Sequence, residues 1–280
     1  MSRIEKAIEK ASQLRRKRLG PMPLVEIGPL KAVQPPAVPV KPTMFLRPED
    51  PRLVINRKSC EEVTEEYRKL KSVVFELTRQ GDFQNTLLVT SDLPGAGKTL
   101  TALNLALTMA NEYDHTVLLV DADLRKPSVH ECLGIQAEKG LLHCLTEGYP
   151  LEKALVRTGI GKLVVLPAGG TAVDPAELMA SNRMRDLIAE LKARYPDRYV
   201  LFDTTPVLPF AEASVLGTLV DGILFVVRER QTRSDHLQEA LAMLKGGNLL
   251  GVVYNDAAAS QNMSHYRIQY GKQKTVMSNK

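Results

Sequence analysis

Three short stretches carry residues whose types and spacing suit chemistry on phosphate groups: SDLPGAGKT (91–99), VLLVDADLR (117–125) and RYVLFDTTP (198–206). In the first, Gly95 and Gly97 let the backbone curl so that N–H groups from Gly95, Ala96, Gly97, Lys98, Thr99 and Leu100 can face phosphate oxygens. The helix expected to follow adds its positive N-terminal end. Lys98 supplies a point charge for β- and γ-phosphates, and the Thr99 hydroxyl suits Mg²⁺. The usual opening glycine of such a loop is here Asp92. A carboxylate aimed at the phosphates would repel them by several tenths to a few kcal/mol. Aimed at solvent, or capping a nearby N–H, it would cost little.

Asp121 and Asp123 lie at i and i+2 just past a buried apolar run, and Asp203 ends another. In parallel α/β sheets ligands sit at the C-terminal ends of strands, so all three carboxylates are expected beside the loop, with Arg125 close behind. Acids so placed suit Mg²⁺, with Asp121 and Asp203 as ligands beside Thr99. The other acid of the Asp121/Asp123 doublet could accept a proton from a substrate hydroxyl. A plainer reading has Asp121 merely capping the next turn. One strand ending in Asp says little, whereas three ends converging on one loop specify a phosphate site.

The elements that must position these residues are legible as alternating runs. NTLLVTS, HTVLLVDAD, KLVVLPAG, RYVLFDTTP, DGILFVV and LLGVVYND are continuous apolar runs, the pattern of strands covered on both faces. Between them lie helical segments, including LTALNLALTMANEY, DPAELMASNRMRDLIAELKARY and RSDHLQEALAMLKG. SCEEVTEEYRKLKSVVFELTRQ precedes them all, acidic at its start and basic at its end, as the helix dipole favours. The order predicts a doubly wound, mostly parallel α/β sheet over residues 58–257.

Outside that domain the chain changes character. Residues 2–19 place Ile4, Ala7, Ile8, Ala11 and Leu14 at helical spacing with Arg15-Arg16-Lys17-Arg18 at the end. This is either a solvated helix or a docking helix over 1–19 for a partner or anionic lipid. Nine of the seventeen prolines fall between Gly20 and Pro51, so 20–57 reads as an extended linker. Residues 258–280 form a polar, basic tail. The net charge of +5 is concentrated in these ends, which argues against a nucleic-acid footprint on the domain. Three cysteines without CxxC spacing argue against zinc or a disulfide framework and fit a reducing cytoplasm. No run approaches the roughly 18 apolar residues of a membrane span.

The order PGAGKT, LLVDADLR, LFDTTP, with E-x-x-R-x-x-K upstream, resembles the bacterial tyrosine kinases (BY-kinases) of capsule and exopolysaccharide synthesis over about residues 59–257. It looks most similar to the soluble autokinases of exosortase-type loci, on the strength of SRIEKAIEKA and VLPAGG. VDADLRKPS is the most specific element. The resemblance implies a P-loop fold with Lys98 and Thr99 in Walker A, Asp121 and Asp123 in Walker A′ and Asp203 in Walker B, using ATP and Mg²⁺. It places Asn255 near the adenine, although a turn asparagine is the plainer reading. It implies ring formation through Glu65, Arg68 and Lys71, where Lys71 keeps the charge of the family's last arginine but lacks its planar fork. It further implies autophosphorylation at Tyr266 and Tyr270, a membrane-bound polysaccharide chain-length (co-polymerase) protein as activator, a phosphotyrosine phosphatase, and a place at the inner face of the membrane.

Three departures bear on that reading. The Walker B motif is D-T-T-P where D-[ST]-P-P is common, the tail holds two tyrosines where the family has several, and Asp92 opens the loop. Two tail tyrosines could also be ordinary composition. A Min/Par-like ATPase switch is the alternative, but that group carries a signature lysine five residues before the loop lysine, where this chain has Leu93. A non-catalytic ATP-binding scaffold is a third reading.

Overall fold

The computed structural model describes residues 46, 48–56, 61–112, 115–136, 138–194 and 198–257. The expected docking helix at 1–19, most of the linker and the tail with Tyr266 and Tyr270 lie outside these residues. Seven strands form one sheet: β1 (Thr86–Ser91), β2 (Thr116–Asp121), β3 (Val156–Arg157), β4 (Leu163–Leu166), β5 (Arg198–Asp203), β6 (Gly222–Arg228) and β7 (Leu249–Asn255). Their order across the sheet is β3-β4-β2-β5-β1-β6-β7. Every pairing is parallel except β3 with β4. β3 is the strand missing from the sequence reading, since two residues at a sheet edge leave no periodicity to detect.

Apolar runs make these strands because both faces are covered. Leu87, Val89, Val117, Leu119, Tyr199, Leu201, Leu224 and Val226 face one core layer. Their alternates Leu88, Leu118, Val120, Val200, Phe202, Ile223 and Phe225 face the other. Helices α1 (Glu61–Thr78) and α2 (Lys98–Ala110) cover the first face. α2 is buried at every residue from Thr101 to Ala110 and is apolar on nearly all sides, unlike an amphipathic surface helix.

The short helices α3 (Val129–Leu133), α4 (Leu141–Thr146) and α5 (Leu151–Ala154) follow β2. Next come α6 (Pro175–Ala180), α7 (Asn182–Arg194), α8 (Glu212–Gly217) and α9 (Ser234–Met243). The single helical run expected over 174–195 is thus two helices. Ser181 breaks it with an extended ψ of 154°, and its hydroxyl accepts a 3.2 Å bond from Met184 N–H, starting α7 as an N-cap would.

The packed chain also begins upstream of the expected boundary at 58. Leu53 is fully buried, Val54 N–H donates to Asn104 Oδ1 at 2.9 Å, and Asn104 Nδ2 returns a 3.2 Å bond to the Arg52 carbonyl. A proline-rich stretch can do this because the side-chain amide of Asn104 on α2 replaces the ladder partners it cannot find in a helix or sheet. Leu53→Ala should therefore cost about 2–4 kcal/mol in urea unfolding, as a buried leucine does. A loss below about 0.5 kcal/mol would show that this segment is not part of the folded unit.

Candidate active site

Register brings the carboxylates together. β5 lies between β1 and β2, and Asp121 is the direct parallel partner of Asp203, about 4.8 Å away across the ladder. Asp203 is fully buried and neither of its oxygens has a hydrogen-bond partner of ordinary geometry. Asp121 is also fully buried; Oδ2 accepts from Val129 N–H at 3.1 Å, while Oδ1 has no partner. Burial pushes the Asp203 carboxyl up to about 6, against the pull of the Lys98 charge and the Thr99 hydroxyl beside it. Burial, and then the Asp203 charge, raises Asp121 well above the ordinary carboxylate range.

Asp123 is arranged differently. Its Oδ1 accepts from the N–H groups of Arg125 (3.2 Å) and Lys126 (2.9 Å), and its Oδ2 receives Lys98 Nζ at 3.2 Å. Lys98 also reaches Thr99 Oγ1 at 3.3 Å. Burial works against the Lys98 ammonium, but Asp203, Asp123 and Asp121 outweigh it and hold its pKa above the usual value. The site thus gathers one lysine, three carboxylates and a hydroxyl at the end of the sheet.

The orphaned oxygens of Asp121 and Asp203, with Thr99, are a hard-oxygen donor set. No cluster of three or more His, Cys, Asp or Glu side chains that could hold a metal occurs among the described residues. A cation held here would take its remaining ligands from water and substrate, which fits Mg²⁺.

The loop itself is held from the far side of the sheet. Gly97 adopts a left-handed φ of 92°, and a Cβ there would meet Asn255 Nδ2 at 2.1 Å. Asn255, expected near the adenine, donates to the Ala96 carbonyl at 2.8 Å. Arg228 Nη1 donates to the Gly95 carbonyl at 3.1 Å while its Nε and Nη2 hold Asp256 Oδ2 at 3.1 and 2.9 Å. Asp92 is buried and accepts the Thr232 hydroxyl at 3.3 Å; Thr232 Oγ1 in turn accepts Arg228 N–H at 3.1 Å. Asp92 is therefore turned neither to solvent nor to an N–H cap, but to a hydroxyl.

Arg125 is drawn to a residue the sequence reading did not single out. Its Nε donates to fully buried Glu212 Oε1 at 2.7 Å, and its guanidinium lies 4.3 Å from the Phe210 ring centroid. The Thr205 hydroxyl lies 3.5 Å from the other Glu212 oxygen. Arg228, too, was missed, although it ends an apolar strand as Asp121 and Asp203 do; applied to cations, the strand-end rule finds it.

On α1, Glu65 and Arg68 form an exposed pair at 3.1 Å, whereas Lys71 turns inward to Glu112 of the same chain. No helix among the described residues is long and apolar enough to cross a membrane.

A family model described as an AAA domain matches residues 86–245. Tyrosine-protein kinase YwqD of Bacillus subtilis (strain 168) is 35% identical over 72% of this chain and 84% of its own length. Among solved structures, the chimerical protein CapA2B2 is 26% identical with a TM-score of 0.67, covering 78% of this chain and 95% of that one. The kinase domain of Escherichia coli tyrosine kinase ETK is 28% identical with a TM-score of 0.64, covering 70% and 78%.

The raised Asp203 gives a signed pH prediction. Its folded value of about 6 lies above the ordinary 3.8, so the folded state holds the proton more tightly. That contribution is present below the unfolded value and is lost as pH rises through about 6. At neutral pH the buried charge costs on the order of 3 kcal/mol. Asp203→Asn should therefore stabilise the nucleotide-free protein at neutral pH, flatten its acid-side pH dependence and remove stabilisation by Mg²⁺, all read by urea unfolding. A variant less stable than wild type at neutral pH would mean the carboxylate is not strained in this way.

Proposed function

This chain belongs to the bacterial tyrosine-protein kinases, and from that premise we propose that it is an ATP-dependent autokinase that phosphorylates Tyr266 and Tyr270 between copies. The observation that carries the reading is the Asp121–Asp203 register pair with unpartnered oxygens, set beside Lys98 and Thr99. An Mg²⁺ ion held by Thr99, Asp121 and Asp203 would neutralise charge on the β- and γ-phosphates.

Asp123 stands outside that metal pair, oriented by two backbone N–H groups, and is the group left to receive the tyrosine proton. As it does so, the phenolic oxygen bonds to the γ-phosphorus and the bond to the β–γ bridging oxygen breaks, with ADP leaving on the electron pair. Lys98 balances the charge that collects on the transferring group. Leu93 stands where the Min/Par-like ATPases carry their signature lysine, which supports the kinase over that alternative.

The finer assignments follow from the resemblance. Glu65 and Arg68 are exposed and suited to contacts between copies in a ring, while Lys71 is already engaged by Glu112. Residues 1–19 would dock on a membrane-bound polysaccharide co-polymerase at the cytoplasmic face, and a phosphotyrosine phosphatase would reset the tail. The kinase would thereby regulate exopolysaccharide or capsule synthesis and export.

Incubation with γ-labelled ATP and Mg²⁺ should label wild type on tyrosine. Lys98→Ala should lower incorporation at least about a hundredfold, as loss of a transition-state charge does. Tyr266→Phe/Tyr270→Phe should lose the label while still binding ATP. Mixing Lys98→Ala with the tyrosine-free variant should restore it on the Lys98→Ala chain. Absence of phosphotyrosine from a wild-type protein that binds ATP would overturn the assignment.

A further inference from the structure

A groove beside the catalytic loop has a surface matched to a basic, tyrosine-bearing peptide. It encloses about 430 Å³ between α4 and the segment that leads into α6. Its floor is apolar, built from Leu142, Ala172 and Leu178, with Val173 fully exposed at its edge. One wall is tied to the active site, because Ala172 N–H donates to the Leu124 carbonyl at 2.9 Å and Leu124 directly follows Asp123. The other wall is fixed to the sheet by Leu141 and Leu142 N–H groups on the carbonyls of Pro167 and Ala168.

The rim is acidic. Asp174 and Glu177 are exposed and form no ion pair among the described residues, and Glu147 completes the lining. The neighbouring cations are already engaged. Lys139 pairs with Glu147 at 3.0 Å, Arg183 bonds the Leu145 and Thr146 carbonyls, and Arg125 is held by Glu212. An apolar floor under two exposed carboxylates suits an occupant with an apolar centre and positive flanks.

The chain itself supplies such a segment. From residue 258 to the end it has no acidic residue, and MSHYRIQYGKQKT (263–275) carries Arg267, Lys272 and Lys274 around Ile268. In an extended peptide side chains alternate, so Tyr266, Ile268, Tyr270, Lys272 and Lys274 share one face and Arg267 takes the other. Seating Ile268 on the apolar floor puts a tyrosine about 7 Å away along the peptide on either side, turns Arg267 to the rim and carries Lys272 and Lys274 past the end of the groove.

We infer that this groove docks residues 263–275 of a second copy, making the kinase selective for tyrosines with basic flanks. The inference rests on the tyrosine-kinase reading above but is tested apart from it, by binding as well as turnover. The binding probe is a labelled peptide of residues 260–275 with both tyrosines replaced by phenylalanine, titrated against the full chain. Asp174→Lys/Glu177→Lys should weaken its binding about tenfold or more, and Asp174→Asn/Glu177→Gln by less. With the tyrosine-bearing peptide, KM should rise correspondingly while kcat and ATP affinity stay unchanged. A peptide carrying Arg267→Glu, Lys272→Glu and Lys274→Glu should bind the lysine variant better than wild type does. Charge-dependent binding without phosphorylation would sink the kinase reading and leave the groove standing. Phosphorylation whose KM ignores both charge swaps, or a fall in kcat alone, would overturn the groove.

Discussion

Parallel register between β2 and β5 is the constraint on which the site depends. Because Asp121 and Asp203 are direct partners, two carboxylates are fixed at one ladder step with no freedom to separate. The sheet then buries both, and the strand order sets β1 and its loop on the other side of β5. Lys98 is the countercharge that makes this tolerable, and it is itself kept protonated by the acids around it. Removing Lys98 would leave the acids with uncompensated charge in a place water does not reach.

The phosphate loop is less autonomous than its motif suggests. Two of its carbonyls are taken by side chains from the ends of β6 and β7, and Asp92 is taken by the loop between β6 and α9. Gly97 is needed there for its left-handed backbone and because Asn255 occupies the space a side chain would fill. The loop's shape is therefore shared among three strands of the sheet, which explains how a carboxylate at its opening position is accommodated. Asp92 acts as an acceptor for Thr232.

Much of this was legible in the sequence, and the reasons are particular. Strands buried on both faces announce themselves as apolar runs, and an acid at the end of such a run is conspicuous, so Asp121, Asp123 and Asp203 could be brought together without coordinates. The fold class and the family followed from the same runs and motifs. β3 was hidden by its length, and the break at Ser181 by a helical pattern that continues across it. Leu53 was hidden inside a proline-rich stretch whose composition describes its backbone and not what α2 offers it. Glu212, Arg228 and Thr232 carry no motif. Their roles arise from contacts 87, 133 and 140 residues away in the chain, which only a folded sheet brings about. Lys71 kept the charge expected at its position but spends it within its own chain, on Glu112.

The bonds to the loop carbonyls come from Asn255 and Arg228, the last residues of β7 and β6, and Arg228 is in turn held by Asp256, the first residue beyond β7. The root of the tail and the back of the nucleotide loop are thus one mechanical part. Tension applied along residues beyond Asp256 is delivered first to Asn255 and the Asp256–Arg228 pair, and through them to the Ala96 and Gly95 carbonyls. Among the described residues, Asp256 is where shortening the chain begins to reach the loop. Its loss removes an anchor from Arg228, and loss of Asn255 frees the Ala96 carbonyl.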